Sequence, residues 1–116
     1  MKTELEERTK TFAVAVIQDV LKFPRHVATD VIARQLLRSA TSIGANYRAA
    51  CHAKSTADMI NKMKIVEEEA DETEYWLEIL IEADLAPQSQ IADIHKEAGE
   101  ILAMTVASIK TLRNRK

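Results

Sequence analysis

The side chains of this chain best suited to metal or nucleophilic chemistry are three histidines, one cysteine and a dense set of carboxylates. A di-iron site in a helical bundle needs Glu-x-x-His pairs on facing helices. Three residues before His26, His52 and His95, however, stand Phe23, Ala49 and Ala92. Cys51 and His52 are consecutive. On a helix they point to different faces, so they make neither a thiol–imidazole pair nor a metal-ligand cluster. Cys51 reads instead as a small buried residue near a helix end. A phosphate-cradling loop needs clustered glycines, and Gly44 and Gly99 lie far apart inside helical patterns. The acidic run Glu67-Glu68-Glu69 with Asp71-Glu72 offers paired carboxylates. A solvated helix face accounts for most of it, leaving Glu69 and Glu72 for pairing between subunits. These patterns predict no catalytic residues, no metal, no cofactor and no enzymatic activity.

Charge is distributed more informatively than its total of −2 suggests. Between Arg25 and Lys54 five positive side chains (Arg25, Arg34, Arg38, Arg48 and Lys54) face Asp30 alone. From Ser55 to Leu85 only Lys62 and Lys64 oppose ten acids. Such asymmetry bears on association more than on fold. On a helix, Arg34, Arg38 and Arg48 fall within an arc of roughly 80°. Two readings stay open for that row: salt bridges to the acidic segment, or phosphate contacts that weaken steeply with salt. The basic tail, Lys110, Arg113, Arg115 and Lys116, extends the second reading. Beside the arginines Ser39, Ser42, Asn46 and Ala49 form a narrow stripe of small and polar residues that permits close helix packing with hydrogen bonding.

The elements that must carry these residues are four helices, over about 5–22, 28–52, 56–84 and 89–113, in a single domain spanning 1–116. Phe12, Val16, Val20 and Phe23 mark the buried side of the first, which Phe23-Pro24 ends because the residue before proline is pushed out of helical geometry. Ala33, Leu36, Ala40, Ile43, Tyr47 and Ala50 form the second stripe. Met59, Met63, Val66, Ala70, Thr73, Leu77 and Leu80 form the third. Ile91, Ile94, Ala98, Ile101, Thr105, Ser108 and Leu112 form the fourth, widened by Leu102 and Ile109. Ser55 with Asp58 resembles a capping box, and Ser89 is the expected N-cap of the last helix. Short connections make sequential helices antiparallel neighbours. The fold class is therefore all-α, an antiparallel up-down-up-down four-helix bundle.

The third helix carries more apolar surface than one core stripe requires. Steps of about 100° per residue put Ile65, Trp76 and Ile79 on a flank away from that stripe, interspersed with Glu69 and Glu72. Such a face suits an oligomer interface with an aromatic anchor. The simpler alternative has Trp76 capping the core and the isoleucines covered by a neighbouring helix. The lone cysteine fits a reducing compartment, the N-terminus has no signal-peptide core, and no apolar run approaches the ~20 residues of a membrane span. The expectation is a cytoplasmic protein with no membrane partner.

Three stretches of the sequence carry a family resemblance. Gln35-Leu36-Leu37-Arg38-Ser39-Ala40-Thr41-Ser42-Ile43-Gly44-Ala45-Asn46-Tyr47-Arg48 is followed by Ser55-Thr56-Ala57-Asp58-Met59-Ile60 and Glu68-Glu69-Ala70-Asp71-Glu72-Thr73-Glu74-Tyr75-Trp76-Leu77-Glu78. Together they resemble the bacterial four-helix bundle family, also called the 23S rRNA intervening-sequence protein family. The resemblance implies an up-down bundle. It also implies similarity to the accessory proteins of diversity-generating retroelements, which form pentameric barrels and bind reverse transcriptase and nucleic acid. The motif positions it carries over are Arg38, Ser42, Asn46, Asp58, Glu72 and Trp76. Where the family commonly has Glu three residues after the Asn, Ala49 stands here, and Met59 replaces a frequent aromatic. The missing carboxylate removes a partner for Arg38 and leaves the second helix more basic.

The expected function is thus that of a non-enzymatic, homo-oligomeric accessory protein, a pentamer by the resemblance. Its interface would be built on Ile65, Glu69, Glu72, Trp76 and Ile79. RNA, DNA or a nucleic-acid-processing protein would meet Arg34, Arg38, Arg48, Lys110, Arg113, Arg115 and Lys116. The alternative is a structural or protein-interaction module that binds no nucleic acid.

Overall fold

The computed structural model describes residues 4–115. It contains four helices: α1 Glu4–Val20, α2 Val27–Cys51, α3 Thr56–Glu82 and α4 Gln88–Arg113. They form the expected four-helix bundle. Among the described residues α2 packs on α3, α3 on α4, and α1 on both α2 and α4, with no diagonal contacts. The body measures 49 × 24 × 20 Å, so its length is essentially that of one long helix.

Each helix starts and stops for a local reason. Glu4, Glu6 and Glu7 occupy the first turn of α1, where negative charge complements the helix dipole. The Nδ1 of His26 caps α2 by accepting the amide of Ala28 at 3.1 Å. At α3, Ser55 Oγ accepts the amide of Asp58 at 3.1 Å, as the capping-box pattern predicts. The reciprocal bond lands one residue early, Asp58 Oδ2 accepting the Lys54 amide at 3.2 Å. At the start of α4 the expectation is corrected. Pro87 is the extended N-cap residue and gives no side-chain bond; the helix opens at Gln88, placing Ser89 inside the first turn. Between α3 and α4, Asp84 adopts φ 61°. The amide of Leu85 reaches the carbonyl of Leu80 at 2.9 Å and that of Asp84 reaches Ile81 at 3.0 Å. This is a Schellman stop with aspartate where glycine is usual.

The core runs the length of the bundle. Leu36, Ile43, Met63, Leu77, Leu80, Ile91 and Ile101 are completely or almost completely buried, each stabilising the fold by about 1.5–3 kcal/mol relative to exposure. Buried Ala40, Ala70 and Ala98 let the helix axes approach. At Gly44 a Cβ would stand 3.3 Å from Thr9 Oγ1, so α1 closes on α2 where α2 has no side chain. Three expected core members lie toward the rim: Val20, Met59 and Ser108 are half-buried. Ile109 takes the inward place beside Ser108, because the stripe drifts around the helix over its length. Cys51 is likewise half-buried rather than buried.

Candidate association face and basic end

The flank of α3 that faces α2 gathers most of the motif residues. Arg38 Nη1 donates to Glu69 Oε1 at 3.2 Å, and its other terminal nitrogen pairs with Glu72. From the far side the indole Nε1 of Trp76 donates to the same carboxylate of Glu72 at 3.0 Å. The Trp76 indole, joined by Arg38, holds the Glu72 carboxyl below its usual range despite partial desolvation. The Glu72 carboxylate in turn, with Glu69, raises the Arg38 guanidinium above its ordinary value. Glu69 and Glu72, expected to pair between subunits, therefore already have a partner within the chain, and Arg38 takes the salt-bridge reading rather than the free-phosphate one.

Around this polar centre lie apolar side chains without full cover. Val31 is 47% exposed, Ile65 39% and Tyr75 53%. Trp76 is half-buried against the core, and the Tyr75 ring meets it edge-on with centroids 5.0 Å apart. Ile79 is half-buried. Trp76 thus both covers the core and reaches the outer flank. Tyr75 and Val31 are additions the sequence pattern did not single out.

The remaining motif residues act locally. Asn46 Nδ2 donates to the Ser42 carbonyl at 2.9 Å and to Ser42 Oγ at 2.8 Å. Asp58 pairs with Lys62 at 2.8 Å one turn on, in addition to its capping role. Deeper in the α2–α3 seam the buried Thr73 hydroxyl donates to Ser39 Oγ at 2.9 Å, and Ser39 donates to the Leu36 carbonyl at 3.2 Å. No buried polar side-chain atom among the described residues lacks a partner.

The basic candidates do not form one row. Arg34 and Arg48 are both exposed, but fourteen residues of helix separate them by roughly 21 Å. Antiparallel packing places the C-terminus of α2, the N-terminus of α3 and the C-terminus of α4 at one end of the bundle. There Lys54, Lys110, Arg113 and Arg115 are exposed, with Arg48 about one turn further in, beside Glu6 and Glu7 from the first turn of α1, which lies at the same end. Lys116 lies outside the described residues. Lys110 and Arg113 also complement the dipole in the last turn of α4. Arg34 lies toward the opposite end, where Glu82, Asp84 and Asp93 are exposed.

Two clusters were invisible to spacing within any one helix because each joins two helices. Arg8 of α1 donates to Glu97 Oε2 at 2.6 Å and to Glu100 Oε1 at 2.5 Å, and lies 3.1 Å from Met104 Sδ on α4. These acids raise its guanidinium above the ordinary value, Glu97 foremost. Glu74 and Glu78 of α3 meet His95 of α4, with one donor atom from each within 4.8 Å of the others. No other set of three His, Cys, Asp or Glu side chains among the described residues brings its ligand atoms this close together. The grooves are open ones, such as a space of about 310 Å³ between Tyr47, Met59, Met63, Leu112 and Arg115 at the basic end.

A four-helix bundle with a polar Arg–Glu–Trp centre on one flank places the chain among small all-α bundle proteins. The model of the 23S rRNA-intervening sequence protein family matches residues 1–107, and the chain belongs to that family. A crystal structure of a protein of unknown function from the S23 ribosomal protein family of Bacteroides thetaiotaomicron superposes with a TM-score of 0.81 at 38% identity, covering 91% of this chain and 98% of that one. No curated protein matches the sequence. No helix among the described residues is long and apolar enough to cross a membrane.

Proposed function

We propose that this chain is a non-catalytic building block that self-associates through the α2-facing flank of α3, and whose work is done by the assembly. The observation that carries this reading is the set of Val31, Ile65 and Tyr75, each 39% exposed or more, flanking an Arg38–Glu69–Glu72–Trp76 centre whose polar groups already hydrogen-bond to one another. Covering apolar surface of this kind drives association, and polar groups that keep their partners within the chain are not left unpaired when covered. The aromatic pair Tyr75–Trp76 supplies the anchor type enriched in interfaces. The family resemblance points to five subunits. Replacing Ile65 and Tyr75 together by lysine is expected to give helical monomers by sedimentation velocity; an unchanged assembly would remove the proposed face.

A second reading, compatible with the first, is that the assembly holds RNA or DNA at its basic end. It is favoured by the convergence of exposed Lys54, Lys110, Arg113 and Arg115 there, while Arg38 is engaged by acids. Fluorescence anisotropy with labelled RNA and duplex DNA at about 50 mM salt tests it, since phosphate contacts are strong in that range. The triple change Lys110→Glu, Arg113→Glu and Arg115→Glu is expected to abolish binding, and Arg38→Ala to leave it nearly intact. A flat wild-type titration would leave the protein-interaction role alone standing.

A further inference from the structure

The flank of α3 that faces α4 is electrostatically unfinished. Glu74 and Glu78 stand one helical turn apart, and across from them His95 Nε2 lies 3.4 Å from Glu78 Oε2. Glu74 is half-buried, yet among the described residues no donor hydrogen-bonds to its carboxylate. Two neighbouring carboxylates with one imidazole beside them form a donor set that a cation can join.

Gly99 is a separate observation that points to the same place. It lies in the interior of α4, where glycine is unfavourable relative to alanine. A Cβ there would stand 3.2 Å from Glu74 Oε2 and 3.9 Å from its Cδ. The missing side chain is therefore the space into which the Glu74 carboxylate leans. Helix propensity is given up at the point where that carboxylate must approach α4.

We propose that Glu74, Glu78 and His95 bind a divalent first-row transition-metal ion, with Gly99 providing the clearance that admits Glu74. Ligand atoms around a tetrahedral Zn²⁺ at ~2.0–2.1 Å lie roughly 3.3 Å apart. The His95–Glu78 pair is already near that separation, and a Glu74 oxygen lies within 4.8 Å of both. The imidazole favours Zn²⁺ and its neighbours over Mg²⁺ or Ca²⁺, which take oxygen ligands. Glu78 is exposed, so the fourth position opens to solvent and accepts water or a donor atom from a partner. Bound metal neutralises the two carboxylates and ties α3 to α4, a seam that does not involve the proposed association face.

The test is calorimetric titration of the full chain with ZnCl₂ in a non-chelating buffer, paired with thermal unfolding with and without zinc. One ion per chain at micromolar affinity or tighter is expected, with Tm rising with zinc because the ion binds the folded state. His95→Ala and Glu74→Gln should each weaken binding by at least about tenfold. Gly99→Ala should weaken it likewise while leaving helical content and the metal-free Tm undiminished, a split that a merely structural glycine does not produce. Absence of binding at micromolar zinc overturns the proposal. So does binding that survives His95→Ala and is removed by Cys51→Ser or His52→Ala.

Discussion

The two flanks of α3 each carry a pair of carboxylates about one helical turn apart and treat them in opposite ways. Toward α2, Glu72 receives the indole of Trp76 and the guanidinium of Arg38, and its carboxyl is held down. Toward α4, Glu74 receives no hydrogen bond among the described residues, faces Glu78, and its carboxyl is pushed up. A residue count sees one uniformly acidic helix. The partners supplied by the neighbouring helices decide that one flank is closed and rimmed by apolar side chains, and that the other keeps an uncompensated negative site.

The contrast is broken most severely by Trp76→Ala, which removes both core cover and the Glu72 donor. Full truncation of a buried aromatic costs about 3–5 kcal/mol. Trp76 is half-buried, so a loss of about 2 kcal/mol by denaturant unfolding is expected, together with weakened assembly. Thr73→Val comes next, expected to cost about 1 kcal/mol by deleting the buried hydroxyl bond to Ser39, a bond with no counterpart on the α4 flank.

Two milder changes separate the flanks by the sign of their pH dependence. Trp76→Phe retains the ring and deletes the indole donor. Because the Glu72 carboxyl is depressed in the folded state, its contribution is present above the ordinary glutamate range and disappears as pH falls through the folded value. The Trp76→Phe deficit, under about 1 kcal/mol after solvent screening, should therefore be seen at neutral pH and vanish in acid. Glu74→Gln, measured with a chelator present, behaves in the opposite sense. Its carboxyl is raised, so the ionised form costs stability at neutral pH and that cost is relieved as pH falls through the folded value. The variant should gain about 0.5 kcal/mol at neutral pH and nothing in acid. Deficits of the same sign on both flanks would contradict the comparison.

Much of this architecture was readable in advance, for identifiable reasons. Phe23-Pro24 and Ser55 set helix ends within two residues, because proline geometry and side-chain capping are local. The core stripes followed from spacing, since Leu36, Ile43, Leu77 and Ile101 repeat with the helix. Ser89 misled because Pro87 opened α4 first. The tight turn fell to Asp84 rather than glycine, while both glycines serve helix contacts at Thr9 and Glu74. Pairings depended on register between helices, which spacing does not encode. Arg38 could have met phosphate or acid, and Arg8 meets Glu97 at a separation of 89 residues. The His95 set required ligands from two helices, so a search within one helix passed over it.

The central claim, that the chain works as an assembly through the α2-facing flank, is tested most directly by the mass of the purified protein by light scattering across micromolar concentrations. The account predicts a discrete multiple of the 13.0 kDa chain, five subunits by the family resemblance, that collapses to one chain when Ile65 and Tyr75 are changed to lysine. A wild-type mass of a single chain throughout that range would contradict it.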